Sequence, residues 1–160
     1  MADPRSKWAK KRKIQYVGVR VDTAEVSAWF EDQVGNLLPN VKCHHATLKF
    51  APTIEETENI FAFFQGKEIE LKVVGFHAGD EIQALKVDIV IDGVVNNTLC
   101  ANDIPHITIA CAEGIKPSFS NEALDKACTP LEAPFYRTFK GTIMLNGRGR
   151  DCVGELPWAE

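Results

Sequence analysis

The chain has 160 residues, enough for one ordinary domain or one domain made of two small lobes. Its hydrophobic share of 45% and charged share of 25% exclude a disordered polyelectrolyte, and no apolar run approaches the ~20 residues that cross a bilayer. The net charge of −4 combines a basic tail at residues 1–13, with six basic residues and one acid, and an acidic body at 14–160, with 12 basic and 21 acidic residues.

Such a tail either adds non-specific phosphate affinity or serves only to solubilise. Residues 14–21 (IQYVGVRV) alternate as a half-buried strand. Asp22 and Thr23 then offer a helix cap, and residues 24–37 show helical spacing through Val26, Phe30 and Val34. Residues 41–50 read as a second strand. Thr53, with Glu56 three residues later, forms a capping box for a helix whose apolar face carries Ile60, Phe61 and Phe64.

Two β-rich runs, 68–76 and 82–91, surround His77-Ala78-Gly79-Asp80-Glu81 and predict a hairpin. Further strands are expected at 104–111 and 135–145, with a short helix at 121–128. The order β-α-β-α-β-β-β-α-β lacks the regular alternation of a doubly wound sheet, so the expected class is α+β, in one domain over 14–160.

One short motif occurs twice. His45-Ala46-Thr47-Leu48 and His106-Ile107-Thr108-Ile109 each place a histidine two residues before a threonine, on an expected strand. Residues i and i+2 of a strand share a face, so each motif projects an imidazole beside a hydroxyl. The opposite face takes Ala46 and Leu48, or Ile107 and Ile109.

Two such pairs around one phosphate would supply a base near the attacking water and an acid near the departing oxygen, with hydroxyls for the non-bridging oxygens. The motif alone fits catalysis or ordinary strand composition equally well. His44 falls out of phase with Thr47 and is expected to pack or hydrogen-bond at the strand entrance. His77 has no partner at motif spacing.

No metal or other cofactor is expected, because the carboxylate cluster of a two-metal phosphodiesterase is missing. The five scattered cysteines form no zinc pattern and no disulfide framework, and read as reduced packing residues. With no signal peptide before the first strand, a cytoplasmic or nuclear monomer without membrane contact is the expectation.

Residues 45–50 (HATLKF) and 105–112 (PHITIACA), continuing through Gly114-Ile115-Lys116-Pro117, resemble the two-histidine phosphoesterase superfamily. Within it, the likeness is to 2′,3′-cyclic-nucleotide 3′-phosphodiesterases and the cyclic phosphodiesterase domain of tRNA ligases. The resemblance implies a bilobal α+β fold, with two antiparallel sheets flanking a central groove and helices outside. It implies hydrolysis of 2′,3′-cyclic phosphates, on nucleotides or RNA ends, to 2′-phosphates in RNA repair or tRNA splicing.

By the same resemblance His106 would activate water, His45 would protonate the 3′ oxygen, and Thr47 and Thr108 would hold the phosphate. Phe50 would stack on the base, although its strand phase points into the core unless the strand ends near Lys49. Lys49 could offset phosphate charge, Arg148 and Arg150 could grip RNA phosphates, and Pro117 could belong to a groove-side loop. Missing the Gly-x-x-x-x-Gly-Lys-Ser/Thr phosphate loop and a ligase domain, the chain would depend on other proteins for kinase and ligase steps. Cleavage of 2′-5′ linkages, opening of ADP-ribose cyclic phosphate, or RNA-end binding without turnover are the alternatives.

Overall fold

The computed structural model describes residues 3–132 and 136–158. The segment read as a basic tail carries helix α1 (Pro4–Arg12), started by the Asp3 carboxylate accepting from the Arg5 N–H and by proline in the first turn. Strand β1 (Ile14–Arg20) follows. Helix α2 (Thr23–Gln33) is capped by Asp22, which accepts from the Glu25 N–H, and buries Val26 and Phe30. It ends four residues before the expected position.

The single strand expected at 41–50 is two strands, β2 (Asn40–Val41) and β3 (His45–Phe50). Between them Cys43 takes a φ of 50°, which no regular strand accommodates. Helix α3 (Ile54–Phe64) shows both hydrogen bonds of the Thr53/Glu56 capping box and buries Phe61 and Phe64. The expected hairpin is β4 (Ile69–Ala78) with β5 (Ile82–Ile91).

Next come β6 (Val94–Val95), β7 (His106–Cys111), α4 (Ser120–Lys126), β8 (Thr129–Pro130), β9 (Arg137–Gly147) and β10 (Arg150–Val153). Phe135, where the last long strand was expected to begin, lies outside the described residues.

Six strands run in the order β9-β1-β3-β7-β5-β4, and β4 pairs again with β9 to close a barrel. The two flanking sheets implied by the resemblance are thus one continuous antiparallel sheet. The reason is the length of β9. Its Arg137–Gly141 half pairs with Val73–Ile69 of β4, and its Thr142–Gly147 half pairs with β1, so one strand joins the two ends of the path.

Opposite β9 the barrel is loosest. There β3 and β7 share a single registered pair, Ala46↔Ile107. A groove opens along this seam.

The main core gathers Val17, Val19, Leu48, Leu71, Leu85, Ile107, Phe139 and Leu145 under Phe30, Phe61 and Phe64 of the helices. A smaller cluster of Ile82, Cys111 and Ala123 seats α4 on β5 and β7. All five cysteines are free, and burial pushes the Cys43 thiol up to about 12, the behaviour of a packing residue. Among the described residues no helix is long and apolar enough to cross a membrane.

Candidate active site

The lone Ala46↔Ile107 pair sets the site. Both residues are buried, so their strand neighbours face the other way. Antiparallel register then sets His45 across from Thr108 and Thr47 across from His106, an arrangement close to two-fold symmetric. All four line a cleft of about 700 Å³ along with Tyr16, His44, Phe50, Asn102 and Pro117. The two motifs therefore meet, as their spacing suggested.

His45 is held from three sides. Tyr16 stacks on it with ring centroids 4.3 Å apart and planes 17° from parallel. A Cβ at Gly18 would come within 2.6 Å of the Ala46 carbonyl oxygen and 3.5 Å of the His45 ring, so glycine there lets β1 and β3 approach beneath the imidazole. The Tyr16 hydroxyl, 3.3 Å from Nδ1, belongs to a near-parallel stack, so the in-plane partner of Nδ1 is the Nδ1 of His44 at 2.9 Å.

His44 in turn places Nε2 2.9 Å from Asp151 Oδ2. A carboxylate only accepts, so His44 Nε2 carries the hydrogen. In neutral His44 the bare Nδ1 then accepts from His45 Nδ1–H. His45 Nε2 is left to accept from the Thr47 hydroxyl at 3.1 Å. Burial first, and His44 second, push the His45 pKa down to about 4, while Asp151 pulls it back up.

His106 is 8% exposed. Its Nδ1–H donates to the Ile104 carbonyl at 2.8 Å, so neutral His106 turns a bare Nε2 lone pair toward the cleft. Burial holds its pKa below the ordinary imidazole range, opposed by the Ile104 carbonyl. Thr108 Oγ1 lies 2.8 Å from Ser120 Oγ at the buried start of α4. Each motif threonine thus has an oriented hydroxyl.

One irregularity explains two further positions. Thr47 is opposite Gly18 but Lys49 is opposite Val17, so Leu48 is an extra residue in β3. The bulge reverses the phase beyond it. Phe50 falls opposite Tyr16, lines the cleft and is 74% exposed. Its place in the groove comes from the bulge, not from the strand ending at Lys49.

Lys49 turns the other way, toward the start of α3, where its Nζ is 3.5 Å from Glu56 Oε2. It is not among the cleft-lining residues. Pro117 is, whereas Arg148 and Arg150 sit on the β9–β10 turn away from the lining. His44 does hydrogen-bond at the strand entrance, but it also lines the cleft, because residues 42–44 stand outside any strand.

His77 bonds the Ala127 carbonyl and lies outside the cleft lining. Tyr16 and Asp151 carry no sequence motif and arrive by tertiary folding, whereas Ser120 comes with the segment that begins at Pro117. Among the described residues no group of three His, Cys, Asp or Glu is placed to hold a metal ion.

Residues 40–134, an interval containing both histidine motifs, match the family model described as fungal tRNA ligase phosphodiesterase domain. No curated protein sequence matches the chain. Among solved structures it is similar to one titled "Crystal Structure of Fungal RNA Kinase", with a TM-score of 0.51 and 13% identity over 89% of this chain and 44% of that one. At that identity the likeness is one of fold, and the chain spans less than half the length of that protein. The matched family and the paired His-x-Thr strands agree, and the chain belongs to the fungal tRNA ligase phosphodiesterase domain family of two-histidine phosphoesterases.

Proposed function

We propose that this protein hydrolyses 2′,3′-cyclic phosphates at nucleotide or RNA ends to 2′-phosphates, with His45 and His106 as acid and base. The observation that carries this reading is the register of β3 and β7, which sets two imidazole–hydroxyl pairs about one cleft. His106 Nε2, bare because Nδ1–H is committed to Ile104, accepts a proton from water. The water oxygen bonds to phosphorus as the phosphorus–O3′ bond breaks. Protonated His45 delivers its Nε2 proton to that departing oxygen, leaving a 3′ hydroxyl and a 2′-phosphate.

The cost of charging buried His45 is offset by the anionic phosphate beside it and by Asp151 behind His44. Thr47 and Thr108 donate to the non-bridging oxygens as charge builds on them. Phe50, exposed at the cleft, offers a face to the base. The scheme uses no metal, and it covers the phosphodiesterase step of RNA repair or tRNA splicing alone.

Incubation with 2′,3′-cyclic AMP, and with an oligoribonucleotide ending in 2′,3′-cyclic phosphate, both in EDTA, tests the scheme. Chromatography should resolve 2′-phosphate products at an undiminished rate. His45→Ala and His106→Ala should each lower kcat by ~100-fold or more, the lower range for a lost general acid or base. A 3′-phosphate product, loss of activity in EDTA, or binding without turnover would each reject it.

A further inference from the structure

Two basic segments far apart in the chain meet at the end of β9. Trp8, on the inner side of α1, lies over Gly147 and edge-on to Trp158 at 5.7 Å, so the helix closes onto the end of β9 where any side chain at 147 would collide. The Arg12 carbonyl accepts from the Arg148 N–H, and the Arg12 guanidinium donates to the Arg148 carbonyl at 3.4 Å. The Gly147–Arg150 turn is thereby clamped to the last turn of α1.

Lys7, Lys10, Lys11, Lys13, Arg148 and Arg150 are all exposed, and none is in an ion pair among the described residues. Basic groups at a helix C-terminus suit the helix dipole, which accounts for some of the lysines. It does not account for the two arginines brought to them from another part of the chain.

Two strands lead from the clamp toward the candidate cleft. Lys13 precedes β1, which reaches cleft-lining Tyr16 three residues later, roughly 10 Å along a strand. Arg150 opens β10, and the next residue of that strand, Asp151, holds His44 in the cleft wall from the other strand face. The rest of the surface carries excess negative charge, so a polyanion leaving the cleft meets attraction along this edge.

We propose that α1 and the Gly147–Arg150 turn form a track for the phosphate backbone of the RNA strand whose cyclic end occupies the cleft. The inference rests on the cyclic phosphodiesterase reading. It adds where the strand behind that end is held, through its phosphates and without base readout. A mononucleotide fills only the cleft and does not reach the track.

The triple variant Lys7→Gln/Lys10→Gln/Lys11→Gln keeps good helix formers on exposed positions. On 2′,3′-cyclic AMP its kcat/KM should equal that of the parent. On a ten-nucleotide RNA ending in 2′,3′-cyclic phosphate, kcat/KM should fall ~10-fold through KM, and its log–log dependence on salt should flatten by ~2. Arg148→Gln should weaken the same RNA further when added to the triple variant.

Equal effects on both substrates, or no effect on the RNA, would overturn the track. If the parent hydrolyses neither substrate, the functional reading fails instead. Fluorescence anisotropy with the same RNA then decides the track by itself, an identical salt slope for parent and variant counting against it.

Discussion

Replacing Asp151 with asparagine removes a charge from behind His45 while keeping an oxygen that accepts from His44 Nε2–H. Asp151 and His45 are linked through His44 by two 2.9 Å contacts. Across the intervening ring this puts the carboxylate roughly 8 Å from the His45 imidazole, where a unit charge is worth ~0.5–2 kcal/mol between aqueous and surface-protein dielectrics. At 1.36 kcal/mol per pKa unit, His45 in the variant should titrate ~0.4–1.5 units lower than in the parent.

The sign follows from its role. A carboxylate favours the imidazolium, so removing it lowers the pKa; an acid must be protonated, so activity falls as pH rises through that pKa. With the His45 pKa at about 4 and that of the base less depressed, kcat/KM of Asp151→Asn should separate from the parent's as pH rises through the His45 pKa. Above that pKa the variant should be ~2- to 30-fold slower, and the deficit should shrink toward acid pH.

Asp151 Oδ1 also accepts from Asn146 at 2.6 Å. Losing one acceptor should lower stability by ~1 kcal/mol, read separately in a thermal melt. A pH profile unchanged in shape, or a rate loss equal at every pH, would refute the argument that Asp151 acts through His44 on the charge of His45.

Phe50→Ala should raise KM for 2′,3′-cyclic AMP by ~5- to 100-fold, the range for one base–aromatic stack, and leave the melting temperature alone, because Phe50 is 74% exposed. A lower melting temperature with unchanged KM would return Phe50 to a packing role. Thr108→Val should lower kcat by ~100-fold with a smaller change in KM, as expected for a donor that acts on developing charge; an effect confined to KM would contradict that role. Gly18→Ala should lower the melting temperature and kcat together, since its Cβ would push on the Ala46 carbonyl and the His45 ring. Parent-like values for both would show that β1 has room to shift.

Local features of this fold were legible because local chemistry decides them. The Thr53/Glu56 box and the Asp22 cap are written in consecutive residues and appear as read. The β4–β5 hairpin follows from two apolar runs with a short polar interval. Closure of the barrel has no such signature. It depends on β9 pairing with β4 through one half and β1 through the other, and nothing in its sequence marks the change of partner.

The first segment illustrates the same limit. Its charges read as a tail, while the residue that folds it down is Trp8, whose seat is a glycine contributed by residue 147.

The site divides along the same line. Alternation in a strand is a strict rule, so His45 with Thr47 and His106 with Thr108 could be placed on common faces without coordinates. A bulge suspends that rule by one residue, and the sequence around Leu48 contains nothing that announces it. The consequence is paired: Phe50 gains the cleft and Lys49 loses it, two departures from strict alternation with one cause. Asp151 lay beyond reach for a different reason, since its value comes from a partner 107 positions away and from a histidine that escapes strand geometry altogether. The duplicated motif was sufficient to point to the candidate cleft, but the charge of the proposed acid is set by residues that only the closed barrel brings together.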